Sequence, residues 1–205
     1  MGLATTVDGH RASTVRRILD AASDLIGDGT PYTDVPMQQI AAHSGIARST
    51  VYLTFPNKSQ LLMALAEEST TKLIDAAKAW WARPHDDGPD GAVAAMRSML
   101  AEFRNNQHVY QALSEVSAYD ADVAEFWRAR VAAFVEVVVA RLILEKDAGT
   151  IDPEIEPRET ALVLTWSVER ALSLHCRHDS GKGDEAITQT LGRMIWLTVY
   201  GRTAA

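Results

Sequence analysis

Arg48, Ser49, Thr50, Tyr52 and Lys58 are the side chains whose types and spacing could do chemistry together, and that chemistry is recognition. A guanidinium offers a fork of donors that can bond a guanine edge bidentately, a contact worth roughly 1–3 kcal/mol of discrimination. It can equally sit on a phosphate, and both readings of Arg48 stand. Ser49 and Thr50 can bond a base or a phosphate, or touch a thymine methyl, and Thr50 could instead be a spacer packed on a neighbouring helix. Tyr52 either faces outward or packs against Phe55. Lys58 stands where a helix should begin. Free N–H groups and the positive end of the helix dipole favour an anion there, so Lys58 reads as a phosphate clamp, with a solvated lysine as the alternative. Gln38 and Gln39 complete the set of groups that could reach phosphate.

The elements that must position these groups lie in residues 33–62, TDVPMQQIAAHSGIARSTVYLTFPNKSQLL. Met37, Ile40 and Ala41 form one apolar face, and Gly45 closes that helix. Ile46, Val51 and Phe55 form the next face. Two short helices joined by a glycine turn make a helix-turn-helix unit, which places the start of its second helix in a DNA major groove. Gln38 and Gln39 fall in the first turn of the first of these helices, and His43 reads as a neutral surface residue. Asn57 looks like the N-cap of the next helix, with Gln60 as its capping-box partner.

These motifs resemble the TetR family of transcriptional regulators. The matching pieces are RRILDAASDLIGDG (16–29), IAAHSGIARSTVY (40–52) and FPNKSQLL (55–62). DVAEFW (122–127), ERAL (169–172) and IWLTVYG (195–201) are similar to the EthR branch of that family. The resemblance implies an all-α fold of nine helices, with a DNA-binding domain over 1–65 and a ligand-binding and dimerisation domain over 66–205. The boundary falls inside the long fourth helix, near residue 65. Tyr52 matches a family tyrosine that reaches the DNA backbone. The resemblance also implies a tunnel for an apolar or amphipathic small molecule, lined by Met99, Phe103, Tyr110, Trp127, Val131, Phe134, Val168 and Trp196. The EthR branch often carries asparagine two positions before its Glu–Arg pair and another at the position of Thr165, whereas here the residue just before Glu169 is Val168. A greasier pocket is expected. Two departures concern DNA. Ala47 stands where a serine usually caps the recognition helix, a loss of about 1 kcal/mol. Pro36 stands where serine or threonine usually opens the preceding helix, with Asp34 as a substitute cap. Both imply weaker phosphate anchoring.

Helical spacing runs through the rest of the chain, and strand-like alternation does not persist. Helices are predicted over 14–27, 36–43, 47–54, 58–82, 91–105, 107–118, 121–147, 157–178 and 184–201. RPHDDGPDG (83–91) is the clearest break. Asp120 and Asp184 read as caps, and Pro157 suits a first helical turn. Leu162, Thr165, Leu172, Ile187, Leu191, Ile195 and Thr198 recur at helical spacing in the last two helices. They are expected to form a four-helix dimer interface about a two-fold axis, the alternative being that they face the chain's own core. A dimer would require a palindromic operator.

Net charge is −7, yet residues 1–60 hold five basic and five acidic side chains, so the remainder carries the whole excess. That balance argues against nonspecific coating of nucleic acid and fits a small DNA-reading head on an acidic body. The lone Cys176 can form no disulfide within the chain, and the N-terminal residues lack an apolar core. A cytoplasmic location is expected. VAAFVEVVVARLIL (131–144) is interrupted by Glu136 and Arg141 and falls short of the roughly 20 residues a membrane span needs. Catalytic residues, cofactors and metal ligands are not expected. There is no Gly-rich phosphate loop and no nucleophile–base–acid set. In HCRH (175–178) the two histidines share a face, while Cys176 points about 100° away. The function read from the sequence is a ligand-responsive regulator, repression being commoner in the family, that binds operator DNA as a homodimer and is released by a small molecule. The alternatives are an enzyme keeping a vestigial helix-turn-helix, and a protein-interaction or structural module whose head no longer reads DNA.

Overall fold

A computed structural model describes residues 3–27, 29–82 and 88–201. Among them are nine α-helices and no strand: α1 (Leu3–Gly27), α2 (Met37–Ser44), α3 (Arg48–Thr54), α4 (Lys58–Trp81), α5 (Gly88–Asn105), α6 (Gln107–Val116), α7 (Ala121–Asp147), α8 (Pro157–His178) and α9 (Asp184–Tyr200). The all-α, nine-helix expectation therefore holds. Helix α1 starts eleven residues earlier than the predicted 14, and part of the predicted 83–91 break lies outside the described residues.

The helices fall into two compact units. The first comprises residues 1–68 together with 108–126, so it takes in most of α6 and the start of α7 beyond the 1–65 head read from the sequence. The physical reason is packing that sequence spacing does not reveal. Ser23 on α1 lies 3.2 Å from His108 on α6, Thr33 donates to Glu115 at 3.1 Å, and Ser59 donates to Asp120. Ile18, Ala22 and Ile26 of α1, Ile40 and Ala41 of α2, Val51 of α3 and Leu61 and Leu62 of α4 are all buried. The caps expected at Asn57 and Asp120 are formed. The Asn57 side chain accepts from the Gln60 backbone N–H at 2.8 Å, and Asp120 accepts from those of Asp122 and Val123.

The second unit comprises residues 69–107 and 127–205. Here α5 and α9 approach most closely. Gly192 makes this possible: a Cβ there would lie 2.6 Å from the backbone N and Cα of Val93. Helix α7 buries Val131, Val135, Val138, Val139 and Leu142, and its far end is held by Glu145, which receives bonds from Arg141, Thr150 and Tyr200. Among the described residues no helix is long and apolar enough to cross a membrane.

Asp184 does not cap α9 as predicted. Gly183 holds the N-cap position and makes no side-chain cap bond. The Asp184 carboxylate instead accepts from Arg104 at 2.8 and 2.5 Å and lies 2.7 Å from His175 Nε2. The Arg104 guanidinium is the first cause that holds this carboxyl below its usual range. A charged partner outbids the helix's own N–H groups.

Overpacking a tight helix crossing costs about 1–3 kcal/mol. Gly192→Ala should therefore lower the stability of the chain by that amount in urea denaturation, with Gly9→Ala, a helical position in open space, as a comparison for backbone effects alone.

Candidate functional site

Two sites can be built from the residues upward, one in each unit. The first is α3. Seven residues are too few to hold a helix on their own, so its neighbours fix it. Gly45 adopts φ 64°, the left-handed conformation that glycine tolerates, and its N–H with that of Ile46 closes the end of α2 on the carbonyls of Ala41 and Ala42. The Arg17 guanidinium caps the same end through the Ser44 carbonyl at 2.7 Å. Within α3, Val51 is fully buried and Phe55, just beyond, is buried too. That anchorage turns the rest outward. Arg48 and Ser49 are exposed, Thr50 is half-buried, and Tyr52 is 37% exposed with Arg48 lying 5.5 Å over its ring. Tyr52 thus faces outward and does not pack into the core. Thr54 spends its hydroxyl on the Thr50 carbonyl at 2.8 Å.

Neither α2 nor α3 has a side-chain N-cap. Pro36 and Ala47 occupy those positions, and Asp34 does not substitute, since it belongs to a short 3-10 turn, Tyr32–Asp34. The first N–H groups of both helices are left to solvent or an anion. Gln38 and Gln39 are exposed in the first turn of α2, and His43 faces Asp24 at 3.5 Å.

The Lys58 ammonium donates to the carbonyls of Tyr32 and Thr33 and lies 4.6 Å over the Tyr32 ring, while the Tyr32 hydroxyl donates back to the Lys58 carbonyl at 2.6 Å. Burial lowers its pKa, partly offset by Asp34 and Glu115. Two of the ammonium's three donors are thus spent on the fold. Leu53 is a residue the sequence reading missed: it is 85% exposed on the same short helix. The signal was available, because Val51 and Phe55 claim the buried side and leave an apolar side chain with no core to enter.

The second site is a cavity of about 80 Å³ in the second unit. That is several times what one water requires, roughly 10–15 Å³ by the same measure. Five helices line it. Helix α4 contributes Leu73, Ile74, Ala77 and Trp81, α5 contributes Met96, Met99 and Phe103, and α9 contributes Ile195. Helix α7 gives Trp127, Arg130, Val131, Phe134 and Val138, and α8 presents the stripe Leu164, Thr165, Val168, Glu169 and Leu172.

Of the predicted pocket residues, Met99, Phe103, Trp127, Val131, Phe134 and Val168 line this space, while Tyr110 and Trp196 do not. Tyr110 is buried in the first unit, and Trp196 stacks on Tyr200 with ring centroids 4.6 Å apart. The wall is largely carbon, yet it is less uniformly greasy than expected. Thr70, Arg130, Thr165 and Glu169 reach it. Arg130 and Glu169 are not foreseeable from spacing, because a charged residue on an amphipathic helix ordinarily reads as solvated.

The predicted dimer residues mostly face inward. Thr165, Leu172 and Ile195 line the cavity, and Leu191 is buried. Ile187 is half-buried, and only Leu162 and Thr198 are exposed. The apolar side chains that α8 and α9 do expose are Leu162, Val163, Trp166, Leu174 and Leu197.

His175 is joined by Asp179 and Asp184, not by His178, in a group whose ligand atoms lie within 4.8 Å of one another. The Arg104 guanidinium already binds Asp184 and the Asp179 carbonyl, so the arrangement works as an ion-pair cluster tying α5 to the α8–α9 turn. Cys176 is buried, and burial pushes its thiol pKa up, which is the wrong direction for a reactive thiolate.

If the Lys58 ammonium anchors the fold, Lys58→Met leaves two carbonyls without a charged donor. The chain should lose about 1–3 kcal/mol of stability in urea denaturation without any DNA present. An unchanged midpoint would return Lys58 to a purely DNA-facing role.

Comparison with known proteins adds to this geometry. Residues 18–65 match the family model described as bacterial regulatory proteins, tetR family, and residues 92–201 match transcriptional regulator EthR, C-terminal domain. The HTH-type transcriptional regulator EthR of Mycobacterium tuberculosis (strain CDC 1551 / Oshkosh) is 26% identical over 187 residues, covering 90% of this chain and 86% of that one. Among solved structures, the transcriptional regulator FadR from Bacillus subtilis in complex with stearoyl-CoA has a TM-score of 0.72 at 15% identity, covering 88% of this chain and 97% of that one. A transcriptional regulator from Saccharomonospora viridis in complex with choline has a TM-score of 0.71 at 16% identity, covering 93% and 100%. At those identities the structural likeness speaks for the fold alone. With an exposed helix-turn-helix at residues 37–54 and a carbon-walled cavity in the EthR-like part, the chain belongs to the TetR family of transcriptional regulators, on the branch that carries the EthR C-terminal domain.

Proposed function

We propose that this chain is a ligand-responsive repressor that binds a palindromic operator as a homodimer in the cytoplasm, has no catalytic role, and is released by an apolar or amphipathic small molecule. The observation that carries the reading is α3: anchored by Val51 and Phe55, it turns Arg48, Ser49, Tyr52 and Leu53 away from its own unit. Arg48 is the base-reading candidate, Ser49 and Thr50 the base or phosphate contacts, Tyr52, Gln38 and Gln39 the backbone contacts. Leu53 adds an apolar surface suited to a thymine methyl. Because Lys58 is partly occupied and both short helices lack caps, phosphate anchoring rests on fewer charges than the sequence alone implied.

The cavity is the effector site. FadR and the Saccharomonospora viridis regulator, similar in fold, hold stearoyl-CoA and choline, which supports a small-molecule effector here without naming it. Helix α4 gives its first residues to one unit and the remainder to the other. A ligand that prefers one arrangement of the second unit can shift the head through that helix, by no more than its difference in affinity for the two states. A 100-fold loss of operator affinity needs about 2.7 kcal/mol. The dimer face consists of the exposed Leu162, Val163, Trp166, Leu174 and Leu197 on α8 and α9, completed by the same helices of a second copy in a four-helix bundle.

In a binding-site selection, the full-length chain should recover an inverted repeat, and Arg48→Ala should relax preference at one position in each half-site by about 1–3 kcal/mol. Failure to enrich any sequence would favour a module whose head no longer reads DNA. Leu197→Glu should shift the chain from dimer to monomer in sedimentation velocity, and a wild-type monomer at micromolar concentration would remove the dimer from this reading.

A further inference from the structure

The cavity's polar side chains are not equivalent. Thr165 and Glu169 lie one helical turn apart on α8 and both reach the cavity wall. The Thr165 hydroxyl oxygen is buried and has no hydrogen-bond partner in the protein. Among the described residues, no hydrogen bond or ion pair engages the Glu169 carboxylate; its neighbour in sequence, Arg170, is exposed. Arg130, the other charge on the wall, sits on α7 and has an interaction within the chain, while its buried Nε makes no hydrogen bond. The lining residues of α4, α5 and α9 bring no acid or base. The α8 face of the site therefore holds two adjacent groups able to accept from a donor, inside walls of Trp81, Met99, Phe103 and Phe134 that suit hydrocarbon.

We infer that the effector is an apolar molecule bearing one basic nitrogen, with that nitrogen donating to the Glu169 carboxylate and the Thr165 hydroxyl while its hydrocarbon part fills the cavity. This rests on the reading of the cavity as the effector site. An unpaired carboxylate in an apolar wall is costly, and burial does push the Glu169 pKa up, against a smaller opposing pull from Arg170. A bound ammonium removes that cost by supplying the missing countercharge, and charge-assisted bonds of this kind are the stronger sort. A fatty acid would instead set a second negative charge beside Glu169.

The test titrates the full-length chain with n-octylamine, octan-1-ol and sodium octanoate at neutral pH, below micelle-forming concentrations. Isothermal calorimetry and tryptophan fluorescence are the readouts, since Trp81 and Trp127 line the site. The amine should bind about tenfold or more tighter than the alcohol, the span expected of a charge-assisted hydrogen bond, and octanoate should be weakest. Glu169→Gln, with unchanged helicity and melting temperature, should erase the amine's advantage and leave octanol affinity within about twofold, as expected when only the charged partner is removed. Thr165→Val should weaken amine and alcohol alike. Equal binding of amine and alcohol, or octanoate as the tightest ligand, would overturn the inference while leaving the cavity as a ligand site. An amine advantage that survives Glu169→Gln would overturn it too. Saturable binding of none of the three would overturn the effector-site reading itself.

Discussion

The burial of Val51 constrains everything the first unit can do. Helix α3 has seven residues, and Val51 is the one of them that is buried. A helix that short survives only by packing. The rigid turn at Gly45, the Arg17 cap on Ser44 and the buried Phe55 that follows all serve to seat that one side chain. Once it is seated, the orientation of the remainder is fixed by the period of the helix. Arg48, Ser49, Tyr52 and Leu53 have no core to enter and are left at the surface. Lys58 belongs to this anchoring system: by bonding the carbonyls of Tyr32 and Thr33 it ties the start of α4 to the chain ahead of α2.

The second unit is governed by an opposite arrangement. Its helices leave a space between them. Helices α5 and α9 meet without a side chain at Gly192, while α4, α7 and α8 turn aromatic and branched residues toward a cavity they do not fill. Close packing at one crossing and an unfilled space at another give the unit two kinds of contact. One resists deformation, and the other can be stabilised by whatever molecule completes it. A binding event at that space is worth, to the DNA-reading unit, only the difference it makes between two arrangements of the chain.

How far this was legible in the sequence depends on what each signal means physically. Gly45, Asn57, Asp120 and Pro157 were readable because a left-handed turn, a cap and a first helical turn are local requirements, and the structure satisfies them within a few residues. Asp184 and Asp34 were misread as caps because a carboxylate's choice between its own helix and a distant partner is not local; Arg104 took Asp184 from eighty positions away. The apolar spacing on α8 and α9 was real, but spacing marks burial without saying against what. Leu172, Leu191 and Ile195 are buried in their own unit. The face left outside is irregular, with Leu162, Val163, Trp166 and Leu174 set among polar residues, and of these only Leu162 belongs to the regular spacing. The pocket aromatics could be named only through resemblance. Tyr110 and Trp196 stand apart from this cavity, the first buried in the first unit and the second stacked on Tyr200. Glu169 and Arg130 were invisible for the reason that makes them informative: nothing in one sequence distinguishes a charge in water from a charge in a cavity wall.

Reciprocal linkage tests the central claim, that one chain reads DNA with α3 and is tuned through its cavity. Fluorescence anisotropy would give the affinity of the selected operator with and without an n-alkyl probe that saturates the cavity, and calorimetry would give the probe's affinity with and without operator. The account predicts that each weakens the other by the same factor, within the roughly 5–150-fold range typical of such coupling. A probe that fills the cavity yet leaves operator affinity unchanged would contradict it.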